Sequence, residues 1–156
     1  MTRSRIAILL ALVVAVPATA ASSSFFTTPP QPCFMAGAAG YRLTGAAAAN
    51  YIVRVGESAA KPDLRLQIVE DPARADFVLL DDGDSADTCR DAGEIRSIRV
   101  DDAAAKPDVT VALSSQPAAD DYKIYVRSAH FTERDAAALF AVIWKNARGR
   151  ETVARR

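Results

Sequence analysis

Tyr51–Val69 reads YIVRVGESAAKPDLRLQIV, and the way its two alternating halves are joined decides the fold. In the first half Tyr51, Val53 and Val55 point one way while Ile52 and Arg54 point the other. In the second, Leu64, Leu66 and Ile68 share a face, with Arg65 and Gln67 opposite. A side-chain period of two marks strands with one face on a core. Between them Gly56 and Pro62 punctuate GESAAKP as a turn, so a hairpin is the natural connection.

Working outward from this pair, Asp71 is placed to cap and Pro72 to open a short helical turn over residues 70–76. Phe77-Val78-Leu79-Leu80 follows, an unbroken apolar run expected at the centre of the sheet with both faces covered. Residues 95–100, 109–113 and 122–127 read as further strands, bounded by Asp, Gly, Pro or Ser clusters. Residues 36–50 carry three glycines beside an alanine run and fit either a short strand at 41–43 or a helical turn. No internal repeat is visible on inspection.

At residue 132 the period changes. Thr132 is an N-cap with Asp135 three residues on, and Phe131 is positioned to staple onto Ala136. Ala136, Phe140, Ile143, Trp144 and Ala147 recur at helical spacing until Gly149 supplies a stop, which predicts an amphipathic helix over 133–147. The expected fold is α+β: one small domain over 33–148, with a mostly antiparallel or mixed sheet of five or six strands backed by this helix.

The ends set the compartment. Residues 1–20 place Arg3 and Arg5 before an apolar run from Ile6 to Val16, then Pro17 and a small-residue site at Ala18-Thr19-Ala20. This reads as a secretory signal peptide, since the run is much shorter than the roughly 20 residues of a spanning helix. Residues 21–32 form a Pro-rich leader whose only large apolar side chains are Phe25 and Phe26, and 149–156 form a basic tail. The short signal and the Ala- and Arg-rich usage point to bacterial export, to the periplasm or beyond, with no membrane anchor in the mature chain. There, Cys33 and Cys89 are expected to pair, an even count in an oxidising compartment favouring a disulfide.

The sequence carries 19 basic and 19 acidic side chains, and loss of Arg3 and Arg5 leaves a formal charge of −2. That balance argues against a nucleic-acid partner. Hydrolysis through serine or cysteine needs a base beside the nucleophile, and the chain has a single histidine, His130. One histidine and two distant cysteines fall short of a zinc ligand set. Calcium takes oxygen ligands, and the loop after the apolar run offers Asp82, Asp84 and Asp87, although the spacing is not that of an EF-hand. Asp and Gly there equally suit a solvated turn. No cofactor other than such a calcium ion is implied.

The expected function is a non-catalytic binding or interaction module. Arg54, Arg65, Arg96, Arg99 and Arg127 would form a partly basic sheet face if their strands are neighbours. Two other readings are a domain stabilised by a cation at residues 81–87 and a small enzyme of a class that no motif identifies. The basic end, with Lys145, Arg148, Arg150, Arg155 and Arg156, suits weak contact with an anionic envelope surface, or simply complements the helix dipole.

Overall fold

The computed structural model describes residues 32–57, 59, 61–81, 89, 91–116 and 122–154, the last six of these as backbone alone. Among these residues eight strands and one 3-10 turn, Pro72–Arg74 capped by Asp71 as expected, precede one α-helix: β1 (Cys33–Ala36), β2 (Ala39–Leu43), β3 (Tyr51–Gly56), β4 (Leu64–Ile68), β5 (Phe77–Asp81), β6 (Glu94–Val100), β7 (Val109–Ser114), β8 (Tyr122–Ser128) and α1 (Glu133–Ala154). They form one mixed, curled sheet in the order β1-β2-β6-β3-β7-β4-β8-β5. Only β1 and β2 pair antiparallel; every other neighbouring pair is parallel. The sheet is thus larger than the five or six strands expected.

The hairpin expected between the halves of Tyr51–Val69 is replaced by a parallel crossover. β3 and β4 do not touch edge to edge, because β7 lies between them, with Val53 opposite Val109 and Leu64 opposite Val111. Likewise β6 separates β2 from β3, and β8 separates β4 from β5. The chain lays down β2 to β5 in steps of two positions and then fills the gaps with β6 to β8. Connections between parallel strands normally need a dozen or more residues, usually including a helix. Here 57–63 and 101–108 suffice. A step over one strand and back along a short one spans about 22 Å, which seven or eight extended residues can reach.

A repeat invisible to inspection of hydrophobic residues fixes this interleaving. The Asp63 N–H donates to Thr110 O (2.8 Å), while its Oδ2 accepts from the Thr110 N–H (2.7 Å). Asp76 makes the same two bonds with Lys123, at 2.8 and 2.7 Å. Asp108 makes them with Ile52, at 2.7 and 2.8 Å. Asn50 bonds Ser97 in a related way, its Oδ1 accepting from the Ser97 N–H at 2.7 Å and its own N–H donating to Ser97 Oγ. Asn50, Asp63 and Asp76 are thirteen residues apart, and each meets a partner 47 residues on. The expectation of no internal repeat is therefore corrected: a 13-residue unit of Asx and strand recurs in both halves. Asp63, Asp76 and Asp108 are not merely solvating strand ends, since each supplies the acceptor for the amide of the second residue of its neighbour. Asp76→Ala is expected to cost about 1–3 kcal/mol by urea denaturation, as a charge-assisted bond is lost and the Lys123 amide is left to water. Asp76→Asn should recover most of this, its Oδ1 still accepting.

The sheet curls around α1, which packs against β3, β4, β6, β7 and β8. Ala136, Ala137, Ala138, Leu139, Ala141 and Val142 are all fully buried, so the helix is enclosed around most of its girth and small residues let the strands approach. Facing them are Val53, Val55, Leu64, Leu66, Ile98, Val109, Val111 and Ile124. The two end strands come together: the Phe34 ring of β1 lies 5.8 Å from Phe77 of β5, and Phe77 and Tyr122 each lie 5.2 Å from Phe140. The capping box forms as read, with Thr132 N–H donating to Asp135 Oδ2 (2.9 Å) and Asp135 N–H to Thr132 Oγ1 (3.2 Å). The helix does not stop at Gly149 but continues to Ala154. Among the described residues no helix is long and apolar enough to cross a membrane.

Phe77–Leu80 is not the sheet's centre. β5 is an end strand, hydrogen-bonded only to β8, with Leu79 fully buried but Val78 38% and Leu80 52% exposed. Residues 36–50 resolve as the β1–β2 hairpin and the crossover that follows. Its two-residue turn carries Gly37 at φ 63°, the one positive φ found among the described residues, as a hairpin with glycine at the first central position requires. Cys33 is bonded to Cys89 as expected, with Cα atoms 5.8 Å apart. This bridge lies across Gly40, where a Cβ would come within 2.7 Å of Cys89 Sγ. Glycine is required there because the disulfide takes the space.

Candidate functional site

A cleft of about 640 Å³ lies between the β1–β2 hairpin, the start of β6 and the C-terminal half of α1. Gly37, Ala38 and Ala39 line it from the hairpin with no side chain larger than a methyl, so backbone is prominent in its floor. Tyr41, almost wholly buried, and Ile143 provide apolar wall. Glu94 and Arg96 enter from β6, and Asn146 from the helix. Asn146 is held in place by Tyr51, whose hydroxyl donates to its Oδ1 at 2.9 Å.

Arg96 Nη2 donates to Glu94 Oε2 at 2.8 Å. Residues two apart on a strand share a face, so the pair is local to β6. The hydrogen bond from Arg96 holds the Glu94 carboxyl below the usual range and raises Arg96 further above its own, with Tyr41 and Tyr51 adding smaller contributions to the latter. The Arg96 side chain is 25% exposed and that of Glu94 62%, so the acid forms the rim and the base lies deeper.

The five arginines read as one basic face divide. Ile98 is fully buried, so on the alternation of β6 Arg96 lies on the inner face and Arg99 on the outer one. Arg54 and Arg65 also lie outward, between buried residues of β3 and β4, and Arg127 does so on the alternation of β8 about buried Ile124. Two of these are tied into the scaffold: Arg54 Nη2 donates to Ala104 O in the crossover above β3, and Arg99 pairs with Asp101 at 3.3 Å. At the helix end, Arg148 sits over the Trp144 ring at 4.6 Å and Lys145 Nζ donates to Asp108 O at 2.7 Å. Asp82, Asp84 and Asp87 lie outside the described residues, as do Phe25, Phe26 and the side chains of Arg150, Arg155 and Arg156.

His130 stands between β8 and the helix cap, its Nδ1 2.6 Å from Asp81 Oδ2. Because a carboxylate only accepts, Nδ1 carries the hydrogen of this bond and Nε2 faces away. The same Asp81 oxygen accepts from Ser128 Oγ at 2.8 Å. Ser128 Oγ in turn accepts from the N–H groups of His130 (3.0 Å) and Phe131 (2.8 Å). Serine, histidine and aspartate thus meet, but in the wrong order for a nucleophile: the serine bonds the acid and spends both lone pairs on the turn. The cluster locks the β8-to-helix link. Among the described residues no three His, Cys, Asp or Glu side chains stand together as a metal site.

A second cavity of about 480 Å³ opens at the C-terminal ends of β3 and β7, beside Glu57, Ser114 and Arg134. The Arg134 charge is taken by Asp102, whose carboxyl is held low by that hydrogen bond. No protein-family model, curated protein or solved structure matches the chain.

Tyr41, Glu94 and Asn146 did not stand out in the sequence. Tyr41 sat in the undecided 36–50 segment, and Asn146 is the one short polar side chain between Trp144 and Ala147 on a helix read for its apolar face. Glu94 and Arg96 at a spacing of two in a strand was the available signal.

Proposed function

We propose that the chain is an exported, non-catalytic binding module, and that it binds at the cleft between the β1–β2 hairpin, β6 and α1. The observation that carries this reading is the cleft's make-up: a concavity of small-molecule size, about 640 Å³, with apolar walls and a few polar groups converging on it. Among the described residues its titratable groups are one ion pair and a tyrosine. The disulfide supports export, since such bonds persist in oxidising compartments. Proton–nitrogen correlation spectra recorded with a small-molecule extract of the periplasm test it. Shifts are expected at residues 36–41, 93–96 and 143–146, and Ala39→Trp, which fills the cleft, should abolish them. Shifts confined to other regions, or no shifts at all, would reject the cleft.

A further inference from the structure

Resting on the cleft as the binding place, we propose that its ligand presents a carboxylate, which takes Arg96 over from Glu94. Among the described residues that line the cleft, Arg96 is the only cation. A guanidinium offers five N–H donors in a planar fork matched to the two oxygens of a carboxylate. One arm of that fork holds Glu94 Oε2 at 2.8 Å, from a residue two places away on the same strand.

Glu94 therefore acts as a tethered stand-in. Its side chain is 62% exposed against 25% for Arg96, so it reaches in from the rim rather than being built into the wall. Exposed pairs of this kind contribute little to stability, and an incoming carboxylate backed by apolar contacts displaces the acid at small cost. Tyr41 and Ile143 supply those contacts. A phosphate would also suit a guanidinium, but one arginine beside one acid gives the cleft no net charge to hold a dianion.

The test titrates the oxidised protein with phenylacetate and with N-acetyl-alanyl-phenylalanine, each against its primary amide, reading the amide signals of residues 36–41, 93–96 and 143–146. An acid is expected to bind about tenfold or more tightly than its amide, as charge-assisted bonds outweigh neutral ones. Tighter binding of phenylacetate identifies a free organic acid, and of the dipeptide a chain terminus. Arg96→Gln should remove the preference for the acid. Glu94→Gln, with its competing charge gone, should strengthen acid binding several-fold and leave the amide unchanged. The class of ligand is overturned if acid and amide bind alike, if Glu94→Gln weakens the acid, or if neither acid shifts the cleft while the extract still does. In those outcomes the cleft itself stands; it falls only if the extract shifts nothing there.

Discussion

Replacing both Cys33 and Cys89 with alanine lowers the stability of the protein by about 4 kcal/mol, the loop-closure cost for a separation of 56 residues. The bridge joins β1, at one end of the sheet, to the connection that leaves β5 at the other end. It lies across Gly40 of β2, next to Ala92, and so pins the entry to β6 onto the β1–β2 hairpin. For a domain of this size such a loss lowers the melting temperature by roughly 10 °C or more. Calorimetry of the double variant against the oxidised parent measures it. A loss under 1 kcal/mol would mean that the entry to β6 is held on the hairpin by packing alone.

Leu139→Ala is expected to be comparably damaging, at about 2–5 kcal/mol in urea denaturation. Leu139 is fully buried among alanines, so it is the largest apolar side chain in the run from Ala136 to Leu139. The enclosing strands are locked to one another in parallel register and cannot collapse inward to fill the void left by its removal. The converse change at Phe140, which is partly exposed, should be milder if made to Leu, since the ring mainly bridges Phe77 and Tyr122. Equal losses at the two positions would contradict the enclosure of the helix.

The strands, the capped helix and the disulfide were legible in the sequence because each rests on local chemistry: alternation, a capping box, and cysteine count. Strand pairing was not. An alternating strand reads the same whether its partner runs parallel or antiparallel, and GESAAKP is long enough for either connection. The information that decides it lies in polar residues outside the apolar pattern, at Asn50, Asp63, Asp76 and Asp108, whose acceptors meet amides 47 or 56 residues away. The same even spacing continues to Asp121 in the sequence. Phe77–Leu80 misled for a related reason. An unbroken apolar run is a feature of parallel strands, and β5 is parallel, but it ends the sheet and leaves Val78 and Leu80 facing outward.

The cleft was less legible than the fold. Arg96 was singled out for its charge and grouped with four outward arginines, whereas the alternation of β6 about Ile98 turns it inward. Its surroundings come from the hairpin and from a helix residue 50 positions later, a juxtaposition that only the curl of the sheet creates. His130, the one residue expected to matter if the protein were an enzyme, is tied with Asp81 and Ser128 into the link that launches the helix.

The curled sheet and the cleft both depend on the interleaving, and cross-strand nuclear Overhauser contacts test it most directly. Backbone protons of Val53 and Val55 should show contacts to Val109 and Val111, the register of β3 with β7, and Leu64 should likewise contact Val111. Direct backbone contacts between residues 51–56 and 64–68 in antiparallel register would instead restore the hairpin and contradict the interleaved sheet.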